Sequence, residues 1–185
     1  MRTASPAILT PALRGGRDAV DLRARAVIDQ TRGTVTAWVD LACRPERAYR
    51  MLITAETERW WGSPGTYAMR EWSAELRRGG RWRVLVCFAD GRSVPASGEF
   101  VEFDPPELVV QTRRYEFDHP TLGRRETRVT YALAPLLHGA RLTVVHEGFV
   151  GFDQAAAEHA AGWERVLEWL EGHAQRVSIE EGGSR

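Results

Sequence analysis

The 185-residue sequence contains no lysine and no asparagine, so arginine supplies all 25 of its basic side chains. The absence of lysine excludes both a Schiff-base lysine and the lysine of a phosphate-binding loop. The 25 basic residues are balanced by 25 acidic ones, so the chain as a whole offers no excess positive charge to nucleic acid or an anionic membrane. We therefore expect neither of these as a partner.

Cysteine is scarce, and long apolar runs are missing. Cys43 and Cys87 are too far apart for a CxxC pair and too few for a disulfide framework, which favours a reducing compartment. Pro6 and Pro11 interrupt the apolar stretch near the start, and no run of 18 apolar residues occurs elsewhere. These features predict a cytoplasmic protein.

The motifs of metal and nucleophile chemistry are also missing. The sequence has no HExxH, no clustered histidine and cysteine set, and no GxSxG. Gly79 and Gly80 fit a hairpin turn rather than a phosphate loop, which would need a helix after it. His146 and Glu147 point to opposite faces of a strand and cannot share a metal. We predict no metal, no other cofactor and no catalytic residue.

What the chain does contain is a series of alternating segments. TVTAWVDLA, from Thr34, has the alternation of a strand with one buried face, and short amphipathic helices follow near Pro45 and over Glu56–Trp61. Six further strands are predicted near residues 68–76, 81–88, 94–103, 108–117, 127–134 and 141–147. Their turn-rich links predict hairpins, and a long helix begins at Asp153. This order predicts an α+β fold in which a curved antiparallel sheet of about six to seven strands wraps a C-terminal helix.

The ends of the chain have a different character. Residues 1–18 are rich in proline and glycine and are predicted to be disordered. Residues 19–28 fit both a strand and a helix, and the turn-like DQTRG after them favours an extended arm. We therefore predict an N-terminal extension over residues 1–33, a single domain over 34–174, and a flexible tail over 175–185.

Several short motifs recur in the order and spacing of a known family. They are RPERAYRML, ERWWG, RRGGRWRV, GEFVEFDPPE, RVTYAL, RLTVVHEGF and the GW pair of the last helix. The chain resembles the bacterial branch of the activator-of-heat-shock-protein-ATPase-like proteins, in the START and birch-pollen-allergen-like (SRPBCC) superfamily. The resemblance implies the helix-grip fold. It also implies one of three roles, since members include lipophilic-ligand binders, cochaperone domains and polyketide cyclases.

Strand alternation predicts which side chains face the final helix. The inward set is aromatic-rich with few polar groups, and it fits a ligand cavity or a packed core equally. The predicted ligand-binding residues are Trp60, Trp61, Trp82, Val84, Phe88, Tyr131, Val144, His146, Trp163 and Leu167. Gly162 is predicted to let the sheet or a ligand approach the helix closely, whereas Arg113 and Arg114 are assigned to a solvated strand face.

These observations favour a monomeric or homodimeric protein that binds a small apolar or aromatic molecule without chemistry. The first alternative is a cochaperone-like domain that binds a heat-shock ATPase through outward-facing arginines. The second is a cyclase or dehydratase in which His146, Tyr131 or an arginine moves protons while the pocket orients a reactive chain.

Overall fold

A computed structural model describes residues 23–63 and 65–182 of the chain. This part forms nine strands and three helices. The strands are β1 (Arg25–Asp29), β2 (Thr34–Leu41), β3 (Gly62–Ser63), β4 (Tyr67–Ala74), β5 (Arg81–Phe88), β6 (Ser93–Asp104), β7 (Leu108–Tyr115), β8 (Thr127–Leu136) and β9 (Gly139–Glu147). The helices are α1 (Pro45–Ile53), α2 (Thr57–Trp60) and α3 (Asp153–Gly182).

The strands make one open, curled antiparallel sheet in the order β1-β2-β9-β8-β7-β6-β5-β4-β3. Strands β4 to β9 follow one another as hairpins, and β2 pairs with β9 from Thr34↔Glu147 to Leu41↔Ala140. Helix α3 lies across the sheet and contacts β1 and β2. The predicted α+β fold, with a curved sheet wrapped around a long C-terminal helix, is confirmed.

The sheet has more strands than predicted, because β1 and the two-residue β3 extend its two ends. The seven strands expected from the sequence are all present. Both short helices after β2 are also present, and α1 begins at Pro45, where a missing N–H and a fixed φ are compatible with a first helical turn. Within the described ranges, no helix has the length and apolar character needed to cross a membrane.

The segment predicted as an extended arm contains the edge strand β1. Its register pairs Arg25 with Trp38 and Asp29 with Thr34. On its other side, the Ala26 N–H donates to Glu164 Oε1 of α3 at 3.0 Å. The sheet therefore begins before the predicted domain boundary at residue 34. The disorder predicted for residues 1–18 lies outside the described residues.

The last helix is longer than the sequence analysis predicted. Residues 175–182, assigned to a flexible tail, continue α3 to Gly182, and residues 183–185 lie outside the described part. This stretch has no proline to stop a helix, and Val177 packs against the core. The Ser178 hydroxyl also donates to the Ala42 carbonyl at 2.7 Å, which anchors the extension to the end of β2.

Glu56 ties the two short helices to α3. Its carboxylate accepts two hydrogen bonds from Arg47, at 2.6 and 2.7 Å, and lies 2.7 Å from His173 Nε2 of α3. Burial acts to raise the pKa of Glu56, but the hydrogen bonds and charges of Arg47 and His173 outweigh it and lower the pKa. The carboxylate therefore stays ionised and fixes the position of α3 over the sheet.

Candidate functional site

A pocket of about 210 Å³ lies between the sheet and the first half of α3. Strands β4 to β7 form one side and α3 the other, with Trp61 and the chain after β7 at its ends. The lining residues are Trp61, Tyr67, Met69, Val86, Phe88, Val94, Arg113, Tyr115, Phe117, His119, His146, Glu158, His159, Gly162, Trp163, Arg165 and Val166. The interior between helix and sheet is thus packed in one part and open in another.

Four of the ten predicted binding residues line this pocket: Trp61, Phe88, His146 and Trp163. The other six are buried at 3% exposure or less, in the packed part of the interior: Trp60, Trp82, Val84, Tyr131, Val144 and Leu167. Trp60, for example, donates its indole N–H to the Met51 carbonyl of α1 at 3.0 Å. For the four of these side chains that lie on strands, alternation gave the buried face of the sheet. It carries no information on where along the strand the helix and the sheet separate.

The walls of the pocket are largely aromatic. The Trp61 and Trp163 rings lie 5.4 Å apart between centroids, and Tyr67 lies 6.4 Å from Phe88. Tyr115 stacks on His119 at 4.6 Å with an angle of 19° between the planes. Aromatic pairs at these separations hold one another in fixed orientations. The pocket therefore presents rigid apolar faces.

His146 is held by side chains on both ring nitrogens. The Trp163 indole N–H can only donate, so the His146 Nδ1 atom, 3.1 Å away, must accept and carries no proton. His146 Nε2–H then donates to the Thr127 hydroxyl at 2.8 Å, which donates to the Arg113 carbonyl at 3.1 Å. Burial, with smaller contributions from His159 and Arg113, lowers the pKa of His146 well below its usual value. The ring is therefore neutral.

Two further histidines face the pocket beside His146. His159 Nδ1 donates to the Ala155 carbonyl at 2.7 Å, which leaves Nε2 as an acceptor 3.4 Å from the Tyr115 hydroxyl. Burial lowers the pKa of His159 to about 4. Burial also lowers the pKa of His119, against the charge of Glu158. The three imidazoles are neutral at pH 7, and over the described ranges no set of histidine, cysteine and acidic side chains is placed to hold a metal.

Arg113 was assigned to a solvated face, and this was wrong. Only 6% of its surface is exposed, because β7 turns Val109, Gln111 and Arg113 to the same inner side. The two-residue spacing from Val109 through Gln111 to Arg113 was the signal that could have placed it there. Its neighbour Arg114 does point outward, as predicted.

The guanidinium of Arg113 contacts the aromatic rings of Trp61 and Tyr115. Its guanidinium carbon lies 4.8 Å from the Trp61 ring centroid and 5.4 Å from that of Tyr115. Each such contact contributes about 2 kcal/mol when desolvated, whereas moving an ion out of water costs several kcal/mol. The Nε atom is buried without a hydrogen-bond partner. The aromatic contacts therefore compensate the burial of this charge only in part.

Gly162 opens the helix side of the pocket. A Cβ added at this position would meet no heavy atom within 4 Å, apart from its own helix backbone and chain neighbours. Gly162 precedes Trp163, whose indole is buried at 3% exposure. Gly162 was expected to let the sheet or a ligand approach the helix closely. No atom of the sheet makes such an approach, and that of a ligand stays a prediction. The free space lies in the pocket and is not a contact with the sheet.

Comparison with known proteins agrees with this architecture. The family described as Activator of Hsp90 ATPase homolog 1-like protein matches residues 42–175, and the chain belongs to this family. No curated protein matches the sequence.

Solved structures of bacterial proteins share the fold. A protein from Chromobacterium violaceum is 25% identical with a TM-score of 0.68, over 77% of this chain and 96% of its own. A protein from Rhodobacter sphaeroides is 21% identical with a TM-score of 0.72, over 83% and 99%. The AHSA1 protein from Silicibacter pomeroyi is 24% identical with a TM-score of 0.64, over 80% and 99%.

Proposed function

We propose that this protein binds a small apolar or aromatic molecule in the pocket beneath α3 and holds it without chemical change. The observation that carries the proposal is the open space at Gly162. Glycine within a helix costs about 1 kcal/mol relative to alanine, and alanine would fit here without a clash. Gly162 lies in the pocket wall, so a larger side chain at this position would fill part of the space that a ligand needs.

The lining supports the same proposal. Rigid aromatic faces with a few polar groups are the usual composition of a small-molecule site. A volume of about 210 Å³ is below the roughly 300–1,000 Å³ of sites for drug-sized molecules, so the ligand is compact. Burying about 300 Å² of ligand gives about 7 kcal/mol, and association costs reduce this by several kcal/mol. Apolar contacts alone therefore give dissociation constants nearer millimolar than micromolar, and polar contacts must supply any tighter binding.

Tryptophan fluorescence tests this directly, because Trp61 and Trp163 both line the pocket. Flavonoids, fatty acids, polyketides and aromatic acids would be titrated into the wild-type protein, Gly162→Leu and Gly172→Leu. Gly172 is a matched control on the same helix, outside the pocket, where an added Cβ makes only an ordinary 3.6 Å contact with Arg176. We expect Gly162→Leu alone to lose binding, by about tenfold or more. The absence of binding across the panel, or equal binding by Gly162→Leu, would contradict the proposal.

The family match favours a second candidate, an interaction with a heat-shock ATPase. The outward-facing arginines expected to serve it do line a groove on the opposite face of the sheet, among them Arg81 and Arg83. Glutamates alternate with them, and Arg83 pairs with Glu116 at 3.4 Å. The groove therefore offers mixed charge and not a positive surface for an acidic partner. Unchanged ATPase rates with excess protein would remove this candidate.

The enzyme alternative relied on His146, Tyr131 or an arginine as proton carriers. Both nitrogens of His146 are engaged, and a base must offer a free lone pair to the proton that it removes. Tyr131 lies in the packed interior, with its hydroxyl 3.5 Å from Gln111 Nε2. A His159 with a pKa of about 4 is a weak base at neutral pH. These arrangements favour binding over catalysis.

A further inference from the structure

Arg113 carries a guanidinium that the rest of the described chain leaves unpaired. It makes no ion pair with a carboxylate in residues 23–63 and 65–182, and its buried Nε has no hydrogen-bond partner. The aromatic rings of Trp61 and Tyr115, 4.8 and 5.4 Å from its guanidinium carbon, supply no hydrogen-bond acceptor oxygen within this contact. The N–H groups of a guanidinium lie in its plane and form a fork that matches both oxygens of a carboxylate. The edge of Arg113 therefore lacks an anionic partner.

The charges around the pocket leave this edge uncompensated. The lining contains two arginines, Arg113 and the exposed Arg165, and a single carboxylate, Glu158. Glu158 is itself exposed, and it already accepts from the Thr121 hydroxyl at 2.6 Å and from Gln154 Nε2 at 3.1 Å. The histidines of the lining are neutral at pH 7 and add no negative charge. The pocket therefore has an excess positive charge.

A second donor faces the same space. The Tyr67 hydroxyl forms no hydrogen bond within the described part of the chain, although Tyr67 lines the pocket. Tyr67, Arg113 and Arg165 all line this one pocket. Burial raises the pKa of Tyr67 against the charges of the two arginines, so its hydroxyl stays protonated. A protonated hydroxyl beside two arginines is a suitable donor for an anion.

We propose that the ligand of this pocket is a compact aromatic carboxylate whose acid group binds Arg113. The inference rests on the proposed function and specifies its ligand class. The carboxylate pairs with the free edge of the guanidinium and accepts from the Tyr67 hydroxyl. The ring lies against Phe88 and Val94 and extends toward the space at Gly162. Burying such an ion pair is favourable here because the arginine is already desolvated without the ligand.

Matched pairs of acid and amide test the proposal by calorimetry. Benzoate, phenylacetate, cinnamate and 2-naphthoate would each be compared with the corresponding uncharged amide. A hydrogen-bonded charge contributes enough that the acid should bind about tenfold to a hundredfold more tightly. Acids and amides that bind equally would overturn this inference and leave the proposed function intact. If neither series binds, both fail.

Arg113→Met removes the charge and keeps most of the apolar stem, and Arg114→Met is the matched control on the outward face. Arg113→Met should lose the preference for acids and still bind the amides, while Arg114→Met should retain the preference. The thermal unfolding temperature of ligand-free Arg113→Met should be unchanged or higher, because an unpaired buried charge is removed. A lower unfolding temperature with an unchanged acid preference would overturn the proposal. If Arg113→Met does not fold, the comparison of acids with amides on the wild-type protein still tests whether the acid group contributes to binding.

Discussion

Trp163 donates its indole N–H to His146 Nδ1 at 3.1 Å, and this hydrogen bond determines the tautomer of the histidine. The proton is left on Nε2, where it donates to Thr127. The chain of donors thus runs from α3 through β9 to the start of β8. These hydrogen bonds join the helix to the sheet at the edge of the pocket, and they fix the orientation of the Trp163 indole that lines it.

Trp163→Phe should therefore destabilise the protein by about 1–3 kcal/mol, because it leaves a buried acceptor unpaired. Urea unfolding would measure the change, and Trp169→Phe is the control, since Trp169 is 40% exposed on the same helix. That control should stay within about 0.5 kcal/mol. Nitrogen-15 chemical shifts should show a proton on Nε2 and none on Nδ1 of His146 in the wild type. The opposite tautomer would contradict this account of the network.

His159 makes stability depend on pH in a defined direction. Its pKa falls from an ordinary 6.5 to about 4 on folding, because of burial. The stability that the neutral His159 ring contributes is therefore fully present above pH 6.5. The free energy of unfolding then falls by on the order of 3 kcal/mol as the pH is lowered toward 4. Urea unfolding between pH 7 and pH 4 should give a flatter profile for His159→Gln than for the wild type. The exposed His138 supplies the control variant His138→Gln, whose profile should match the wild type.

Gly162 and Gly172 should respond alike in stability. Replacing either one with alanine should raise the free energy of unfolding by about 1 kcal/mol, because helix propensity improves and no backbone atom is approached too closely. Thermal or urea unfolding of the two variants would measure this. A clear loss of stability in Gly162→Ala alone would show that its Cβ meets an obstacle, which would contradict the open space in the pocket.

Glu56→Gln should lower stability at pH 7 by about 1–3 kcal/mol, because Arg47 and His173 lose their charged partner. The pKa of Glu56 is lowered, so the stability from its ionisation is present above the ordinary value of 4.5 and disappears as the pH falls through the folded-state value. The difference between Glu56→Gln and the wild type should therefore shrink toward pH 3. Glu46→Gln, at an exposed position in the first turn of α1, should cost less than about 1 kcal/mol at pH 7, the contribution of a first-turn carboxylate to the helix.

The fold could be predicted from the sequence because its signals are local. Alternation and turn residues identified seven strands, and Pro45 marked the start of α1. The edge strand β1 was ambiguous, since residues 19–28 fit two periodicities, and its pairing with β2 depends on a distant contact. The length of α3 was underestimated because Ser178 is anchored by the Ala42 carbonyl, which no local pattern reveals.

The site could be predicted only in part. Trp163 and His146 were assigned to the correct face, but the position along each strand where the helix leaves the sheet is a tertiary property. The burial of Arg113 illustrates a second reason why the site could not be fully predicted from the sequence. A charged residue in an alternating strand is normally taken as the outward-facing one, yet Trp61 and Tyr115 come from separate parts of the chain to flank it. Its burial follows from their arrangement in three dimensions.

A crystal structure with 2-naphthoate tests the central claim most directly. We predict density for the ring beneath α3, beside Gly162, with the carboxylate oxygens within hydrogen-bond distance of the Arg113 guanidinium. The same crystals of Gly162→Leu should show no ligand there. An empty pocket in the wild type at saturating ligand, with the naphthoate absent or bound elsewhere on the surface, would contradict the account.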